Sequence, residues 1–123
     1  LLAPNGTLTL EFPHLARLVE YCQFDTVYHE HFSYFSLHTA MRVLSAHGLA
    51  TFDVEELPTH GGSLRLRVRH AASKTAPSAR VAALLAREQG EGVLTYEYYR
   101  GFQRRADALK DDLIEFLISQ KRK

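Results

Sequence analysis

The strictest pattern in this sequence is the alternation SLRLRVRH at residues 63–70. In a strand, successive side chains point to opposite faces, so Leu64, Leu66 and Val68 share one face and the intervening arginines share the other. The apolar face must be buried against other elements, whereas the arginine face must meet water or anions. The chain is therefore expected to build a sheet with one buried face.

Two other segments are predicted to supply the remaining strands. Residues 7–12, TLTLEF, alternate apolar and polar side chains, and Pro13 is expected to end that strand because it cannot donate to a ladder. Residues 49–55 form a second apolar-rich run, with Phe52 and Val54 expected on one face. The sheet should thus have three strands.

Helices are predicted between and after these strands. Residues 14–22 carry a short apolar stripe, and Ser36 and Gly48 suit the N-cap and C-cap of a second helix. Residues 79–90 form a third, and a long helix is predicted from about Val93 to the end of the chain. Its apolar positions are spaced as in a coiled coil: Tyr99, Phe102, Ala106, Leu109, Leu113 and Phe116.

The composition is typical of a soluble globular domain, with 123 residues, 46% of them hydrophobic and 24% charged. Cys22 is the only cysteine, so no intrachain disulfide can form and a cytoplasmic, reducing location is expected. No apolar run approaches the ~18 residues that span a membrane, so no membrane partner is expected. A net charge of +1 is too small to indicate nucleic acid.

The basic residues are unevenly distributed along the chain. Of the 15 lysines and arginines, only Arg17 and Arg42 precede residue 61. Such an asymmetry can mark a surface for anionic ligands, or it can reflect a solvated basic helix with a basic tail. The pattern alone leaves both interpretations open.

The ends of the sequence lack the features of a complete protein. The chain begins inside a turn-and-strand motif, LLAPNGTLTLEF, and stops at the end of a long helix. Met41 is the only methionine, so no initiator is present. We therefore expect an internal fragment of a larger protein.

The least ordinary stretch is QFDTVYHEHFSYFS, residues 23–36. It crowds two histidines and a carboxylate among aromatic rings and follows no helical or strand period, which indicates a site rather than a surface loop. In an extended segment, residues two apart face the same side. Tyr28 would then share one side with Glu30, and His29 would share the other with His31.

These residues resemble a known family. LLAPNGTLTLEFPHL is similar to the turn and fifth strand of a class I S-adenosylmethionine methyltransferase, although Asn5 stands where a glycine is usual. FDTVYHEHFSYFSL and GLATFDVEELPTHGGSLRLRVRH resemble the sugar C-methyltransferases that act on nucleotide-linked 4-keto deoxysugars. The resemblance covers roughly residues 1–118, and YHEHFSY together with THGGSLR is its specific part.

The resemblance implies an α/β fold. The chain would form the C-terminal part of a class I methyltransferase (Rossmann-like) sheet, with three strands and a long C-terminal helix. The last strand, 63–70, would run antiparallel between the other two. Residues 1–75 would hold the last strands and the active-site segment of the methyltransferase domain. Residues 76–123 would be a helical connector toward a missing C-terminal domain.

The same resemblance implies the cofactors and the substrate. S-adenosylmethionine would be the cofactor, with its binding residues outside this fragment, and zinc would lie in a missing N-terminal module. The substrate would be a nucleotide-linked sugar. Methylation of a carbon next to a ketone requires a base for the proton and donors for the enolate oxygen.

The resemblance assigns His31 as this base and places Glu30 and Tyr28 in the catalytic site. All three can meet only if the segment twists out of a simple alternation. The residues themselves leave other roles open. His31 and Tyr28 could fill a packed aromatic cluster, and Glu30 could pair with an arginine.

Four further residues are candidates for substrate binding. His14 follows the first strand at its carboxyl end, where ligands bind in open α/β sheets. Gly61 and Gly62 permit positive φ angles and close approach of the backbone to a ligand, and His60 adjoins them. A tight connection between two strands would explain the glycines equally well.

Two interpretations of a different class remain. A non-catalytic module could use the helical seam to dimerise or dock. A metal-binding domain could use His29, His31 and His38, but no cysteine or placed carboxylate completes a tetrahedral set, so no metal is expected.

A sheet without its other strands would expose the edge of strand 7–12, so the fragment is expected to be able to self-associate.

Overall fold

The computed structural model describes residues 2–123, and Leu1 lies outside the described residues. The strands and helices, named in chain order, are β1 (Leu8–Pro13), α1 (Leu15–Glu20), α2 (Leu37–Ala46), β2 (Leu49–Leu57), β3 (Ser63–His70), α3 (Ala79–Gly90), α4 (Tyr96–Arg100) and α5 (Phe102–Lys121). Short 3-10 turns lie at Phe24–Thr26, Thr59–Gly61 and Ala71–Ser73.

The three strands form one sheet in the order β1–β3–β2, and both pairings are antiparallel. The central strand β3 therefore runs opposite to both neighbours, which confirms the predicted arrangement. Leu66 lies opposite Leu10 of β1 and Val54 of β2, so apolar side chains of all three strands meet on one face. Pro13 is the last residue of β1, opposite Ser63, rather than the residue after it.

Helices α2 and α3 cover the apolar face of the sheet. Leu64, Leu66 and Val68 are fully buried, as the alternation predicts. They form one cluster with side chains of both helices: Leu37, Ala40 and Leu44 of α2, and Val81 and Leu84 of α3. Removal of this apolar surface from water is the main force that holds the helices on the sheet.

The predicted boundaries of α2 are confirmed. The Ser36 hydroxyl accepts a hydrogen bond from the backbone N–H of Thr39, which satisfies one free donor of the first turn. Gly48 follows the last turn with a φ of 71°, the left-handed angle that ends many helices.

On the arginine face of β3, Arg65 and Arg67 pair with carboxylates of the neighbouring strands. Arg65 donates to Glu11 of β1 at 3.1 and 2.9 Å. Asp53 of β2 accepts from Arg67 at 3.3 Å and from Arg80 of α3 at 3.1 Å. These three arginines therefore already have carboxylate partners, which weakens the interpretation of this face as an anion-binding surface.

The predicted position of Phe52 is wrong. A β-bulge between Thr51 and Asp53 shifts the register of β2 against β3. Val54 stays in the core, whereas Phe52 lies with Arg69 on the other face, its ring centre 4.8 Å from the guanidinium carbon. A bulge adds one residue to one strand, and a shift of one residue turns the side chains to the opposite face.

The helix predicted from about Val93 is two helices. They meet at Gly101, a residue with low helix propensity. Helix α4 is held against α1 because the Tyr98 hydroxyl donates to the Ala16 carbonyl at 3.2 Å.

Helix α5 carries only part of the predicted seam into the fold. Ala106 is buried, whereas Leu109, Leu113 and Phe116 are each about half exposed. The exposed half of the seam is therefore a surface feature of α5.

None of the helices in residues 2–123 combines the length and apolar character needed to cross a lipid bilayer.

Candidate functional site

A cleft of about 750 Å³ opens between segment 23–36 and the connection from β2 to β3. The carboxyl end of β1 forms its base. Its lining includes Asp25, Tyr28, His31, His60 and Gly61. The fold thus gathers two of the predicted catalytic residues and two of the predicted substrate-binding residues around one cleft.

His31 is held by hydrogen bonds at both ring nitrogens. Its Nδ1 lies 2.9 Å from the carbonyl oxygen of Thr26, which can only accept, so Nδ1 carries the proton of the neutral ring. Nε2 therefore bears the lone pair, and the Tyr28 hydroxyl donates to it at 3.2 Å. This arrangement leaves Nε2 as the proton-accepting atom of the side chain.

A turn, rather than an extended strand, brings Tyr28 and His31 together. The backbone N–H of His31 donates to the carbonyl of Tyr28 at 3.0 Å, which closes a four-residue turn. The alternation expected for an extended segment is wrong, because a turn brings together residues three apart. The twist that the resemblance requires is present for these two residues.

Glu30 and His29 lie on the outside of this turn. Their side chains are 70% and 89% exposed, and the Glu30 carboxylate lies 3.9 Å from Nε2 of His29. Of the three predicted catalytic residues, Tyr28 and His31 therefore meet at the cleft, whereas Glu30 points to solvent beside it.

The connection between β2 and β3 contains three successive positive φ angles. They are 52° at His60, 78° at Gly61 and 122° at Gly62. A Cβ at Gly61 would lie 2.2 Å from the side-chain nitrogen of Gln23, and one at Gly62 would lie 2.9 Å from Cγ of Arg17. The positive φ angles favour glycine at both positions, and a Cβ at Gly62 would also press on the stem of the Arg17 side chain.

A second cleft, of about 500 Å³, adjoins the first. His14 and Gly62 line the second cleft, and Gln23 and Gly61 line both. The four predicted substrate-binding residues are thus divided between two adjacent clefts, with His60 in the first. Gln23 stands where they meet, a role that its place at the start of segment 23–36 did not reveal.

His14 is buried against a carboxylate that no sequence pattern links to it. Its Nε2 lies 2.9 Å from Glu88 of α3, and neither side chain is more than 2% exposed. The same carboxylate accepts the backbone N–H groups of Leu37 at 2.7 Å and His38 at 3.0 Å. Glu88 therefore caps the first turn of α2, where free N–H groups and the helix dipole favour a negative charge.

The environment of Glu88 favours its charged form. Burial raises the pKa of this carboxyl, but hydrogen bonds from His14 and from the backbone of His38 and Leu37 outweigh burial and lower it. Glu88 lies 74 residues from His14 in the sequence, so no local pattern could have revealed the pair.

The described residues offer no metal centre and no typical cofactor loop. Within residues 2–123, no three histidine, cysteine or acidic side chains are grouped so that they could hold a metal ion. Strand β1 leads into α1 through Pro13 and His14, with no glycine between them. The glycine-rich strand-to-helix turn that binds nucleotide cofactors is thus missing at this position.

The chain is similar to known C-methyltransferases. A family model described as the C-methyltransferase C-terminal domain matches residues 58–123. The C-methyltransferase NovU of Streptomyces niveus is 38% identical over 117 residues, which are 95% of this chain. The chain spans 28% of the length of that relative.

Proposed function

Because this chain belongs to the C-methyltransferase family, we propose that the intact protein methylates a carbon next to the ketone of a nucleotide-linked 4-keto deoxysugar. S-adenosylmethionine is the proposed methyl donor, and His31 is the proposed base. The observation that carries the proposal is the 2.9 Å contact of His31 Nδ1 with the carbonyl of Thr26 beside the cleft, which assigns the ring proton to Nδ1 and leaves the lone pair on Nε2.

The proposed role of His31 is to remove one proton from the sugar. The C–H bond next to the ketone breaks, the proton moves to Nε2, and the electron pair is delocalised onto the ketone oxygen as an enolate. The donor, when bound, supplies an electrophilic methyl group to this carbon. A histidine suits the task because its ordinary pKa, near ~6.5, lies close to neutral pH.

Tyr28 is proposed to stabilise the enolate that forms when His31 removes the proton. Its hydroxyl donates to the lone pair of Nε2 at 3.2 Å. A bound substrate must displace that hydroxyl to reach Nε2. The released O–H can then donate to the ketone oxygen, where negative charge develops.

The roles of the other predicted site residues are also proposals, and they differ in where the structure places each residue. His60 and Gly61 line the cleft beside His31 and are proposed to contact the sugar. His14 and Gly62 line the adjoining cleft and are proposed to contact a more distant part of the substrate. Glu30 is proposed as a site residue by resemblance, and its exposed carboxylate is free to accept from a sugar hydroxyl.

The binding of the donor, the zinc module, the domain boundaries and the location of the protein are also proposals. The donor is proposed to bind outside these residues, and zinc is proposed for a separate N-terminal module. Residues 1–75 are proposed to form the end of the methyltransferase domain, and residues 76–123 are proposed to be a helical connector toward a C-terminal domain. A cytoplasmic location is likewise proposed.

Self-association of the isolated chain is proposed on two observations. Within residues 2–123, β1 pairs only with β3, which leaves its second edge free. The half-exposed Leu113 and Phe116 of α5 add an apolar surface. Light scattering of the isolated chain over a range of concentrations tests this, and a constant monomer mass would contradict it.

The proposed activity is tested with the intact protein. It is incubated with S-adenosylmethionine and a nucleotide-linked 4-keto deoxysugar, and the products are examined by mass spectrometry and NMR. We expect one methyl group on the carbon next to the ketone. Methylation at an oxygen or nitrogen, or no methylation of any such sugar, would contradict the proposal.

A further inference from the structure

The two walls of the cleft are joined by one side chain. Gln23 begins segment 23–36, and its side-chain N–H donates to the carbonyl of Gly61 at 2.8 Å. Gly61 belongs to the connection between β2 and β3, 38 positions along the chain. At this bond, the segment that carries His31 is tied to the turn that carries His60.

The backbone of Gln23 is itself fixed. Its N–H donates to the carbonyl of Leu18 in α1 at 2.9 Å. Its carbonyl accepts the backbone N–H of Thr26 at 3.1 Å and the hydroxyl of Thr26 at 2.8 Å. The carbonyl of Thr26 is the group that orients His31. A short series of hydrogen bonds therefore leads from Gly61 through Gln23 to the proposed base.

The connection between β2 and β3 is also held at its far end, because the backbone N–H of His14 donates to the carbonyl of Gly62 at 3.0 Å. The missing Cβ of Gly61 is what allows the Gln23 amide to approach, since a Cβ would lie 2.2 Å from the amide nitrogen. The Gln23 side chain therefore fits the space left by the absent Cβ of Gly61, and a substitution at either residue changes the contact between them.

We propose that Gln23 is a positioning residue of the reaction: its amide ties the β2–β3 turn to the segment that orients His31 and so sets the spacing between the two walls of the cleft. This inference rests on the proposed function. A displacement of about 1 Å between substrate and base can cost on the order of 10²-fold in rate, so a bond that sets this spacing affects kcat more than binding.

The first test is Gln23→Met in the intact protein, which keeps the length of the side chain and removes the donor. We expect kcat to fall about 10- to 100-fold, with KM for the keto sugar changed less than about threefold and the melting temperature nearly unchanged. Gln103→Met is the matched control, because Gln103 lies on α5, away from the cleft, and its amide donates to Asp107. It should retain normal kinetics.

A double-mutant comparison identifies the partner of Gln23. If the amide acts through Gly61, Gln23→Ala combined with Gly61→Ala should be no slower than Gly61→Ala alone. Gly62→Ala is the matched control, because its φ is also positive but its Cβ would meet Arg17 instead. Its effect on kcat should multiply with that of Gln23→Ala.

Three results would overturn the inference. Normal kcat for Gln23→Met in an active enzyme would show that the amide does not position the site. Independent, multiplied effects of Gln23→Ala and Gly61→Ala would show that it does not act through Gly61. If the wild-type protein does not methylate a keto sugar, the proposed function fails and this inference falls with it.

Discussion

Two histidines of this chain have opposite environments. His14 is buried and its Nε2 bonds to the charged carboxylate of Glu88, whereas His31 borders an open cleft with a backbone carbonyl and a hydroxyl as partners. A carboxylate partner in the interior engages Nε2 of His14 in holding α1, α2 and α3 together, so this atom is not available as a base. The Thr26 carbonyl fixes the tautomer of His31 through Nδ1, and the partner of Nε2 is a tyrosine hydroxyl, which a substrate can displace. The difference separates a histidine that stabilises the fold from one that is available for proton transfer.

Replacement of His31 by alanine should give the largest effect of all on catalysis. General bases typically contribute ~10²–10⁴-fold, so we expect kcat of the intact enzyme to fall within that range. The melting temperature should change little, because His31 lies at an open cleft. Kinetics and thermal unfolding are measured on the same preparations.

His29 provides the matched control for that substitution. It lies two residues away and its side chain is 89% exposed. His29→Ala should keep nearly normal kcat. If His31→Ala instead kept its rate and melted early, His31 would be a structural histidine like His14, and the contrast between the two would disappear.

Replacement of Glu88 should have the largest effect on stability. Glu88→Ala leaves the His14 ring and the N–H groups of Leu37 and His38 without their acceptor in the interior. Removal of one member of a buried pair typically lowers the free energy of unfolding by about 3–5 kcal/mol. Urea unfolding measures the total, and hydrogen exchange at the Leu37 and His38 amides shows whether the loss is local. Unchanged exchange at these amides would contradict the capping role.

The lowered pKa of Glu88 predicts a dependence of stability on pH. A carboxyl whose pKa is lower in the folded state stabilises the fold above its ordinary value of 4.5, and this contribution is lost as pH falls through the lowered pKa. The free energy of unfolding should therefore fall as the solution is acidified below about pH 4.5. Glu88→Gln should make this fall shallower. An identical pH profile for both proteins would place the acid sensitivity elsewhere.

Two phenylalanines near these histidines should respond differently. Phe35 packs edge-on against Phe12, with ring centres 5.7 Å apart, and adjoins the core. Because it is only partly buried, we expect Phe35→Ala to cost about 2 kcal/mol of unfolding free energy, less than for a fully buried ring. Phe32 is 93% exposed, so Phe32→Ala should change stability by no more than about 0.5 kcal/mol. Equal losses at both positions would contradict this contrast.

The sequence predicts the parts of the fold that depend on near neighbours. The arginine alternation of residues 63–70 predicts a strand buried on one face, and Ser36 predicts the start of α2, because each pattern reflects local geometry. The bulge that turns Phe52 outward depends on pairing with β3 and leaves no such pattern. Gly101 marks the break between α4 and α5, but a single glycine inside a helical pattern is often tolerated.

The candidate site shows the same division. The unusual composition of segment 23–36 identifies Tyr28 and His31, but a turn, which the alternation does not predict, decides that they meet and that Glu30 lies outside. The contacts of His14 with Glu88 and of Gln23 with Gly61 join residues far apart in the sequence. Such contacts can be found only when the fold is known.

The most direct test of the role of His31 is exchange of the sugar proton with deuterated water. The intact wild-type protein, its His29→Ala variant and its His31→Ala variant are incubated with the keto sugar and the demethylated form of the donor, so that no methyl group is transferred. NMR follows loss of the proton next to the ketone, after subtraction of the exchange without enzyme. We predict exchange by the wild type and by His29→Ala, and at least about 10²-fold slower exchange by His31→Ala. Exchange by His31→Ala at the wild-type rate would show that another group is the base.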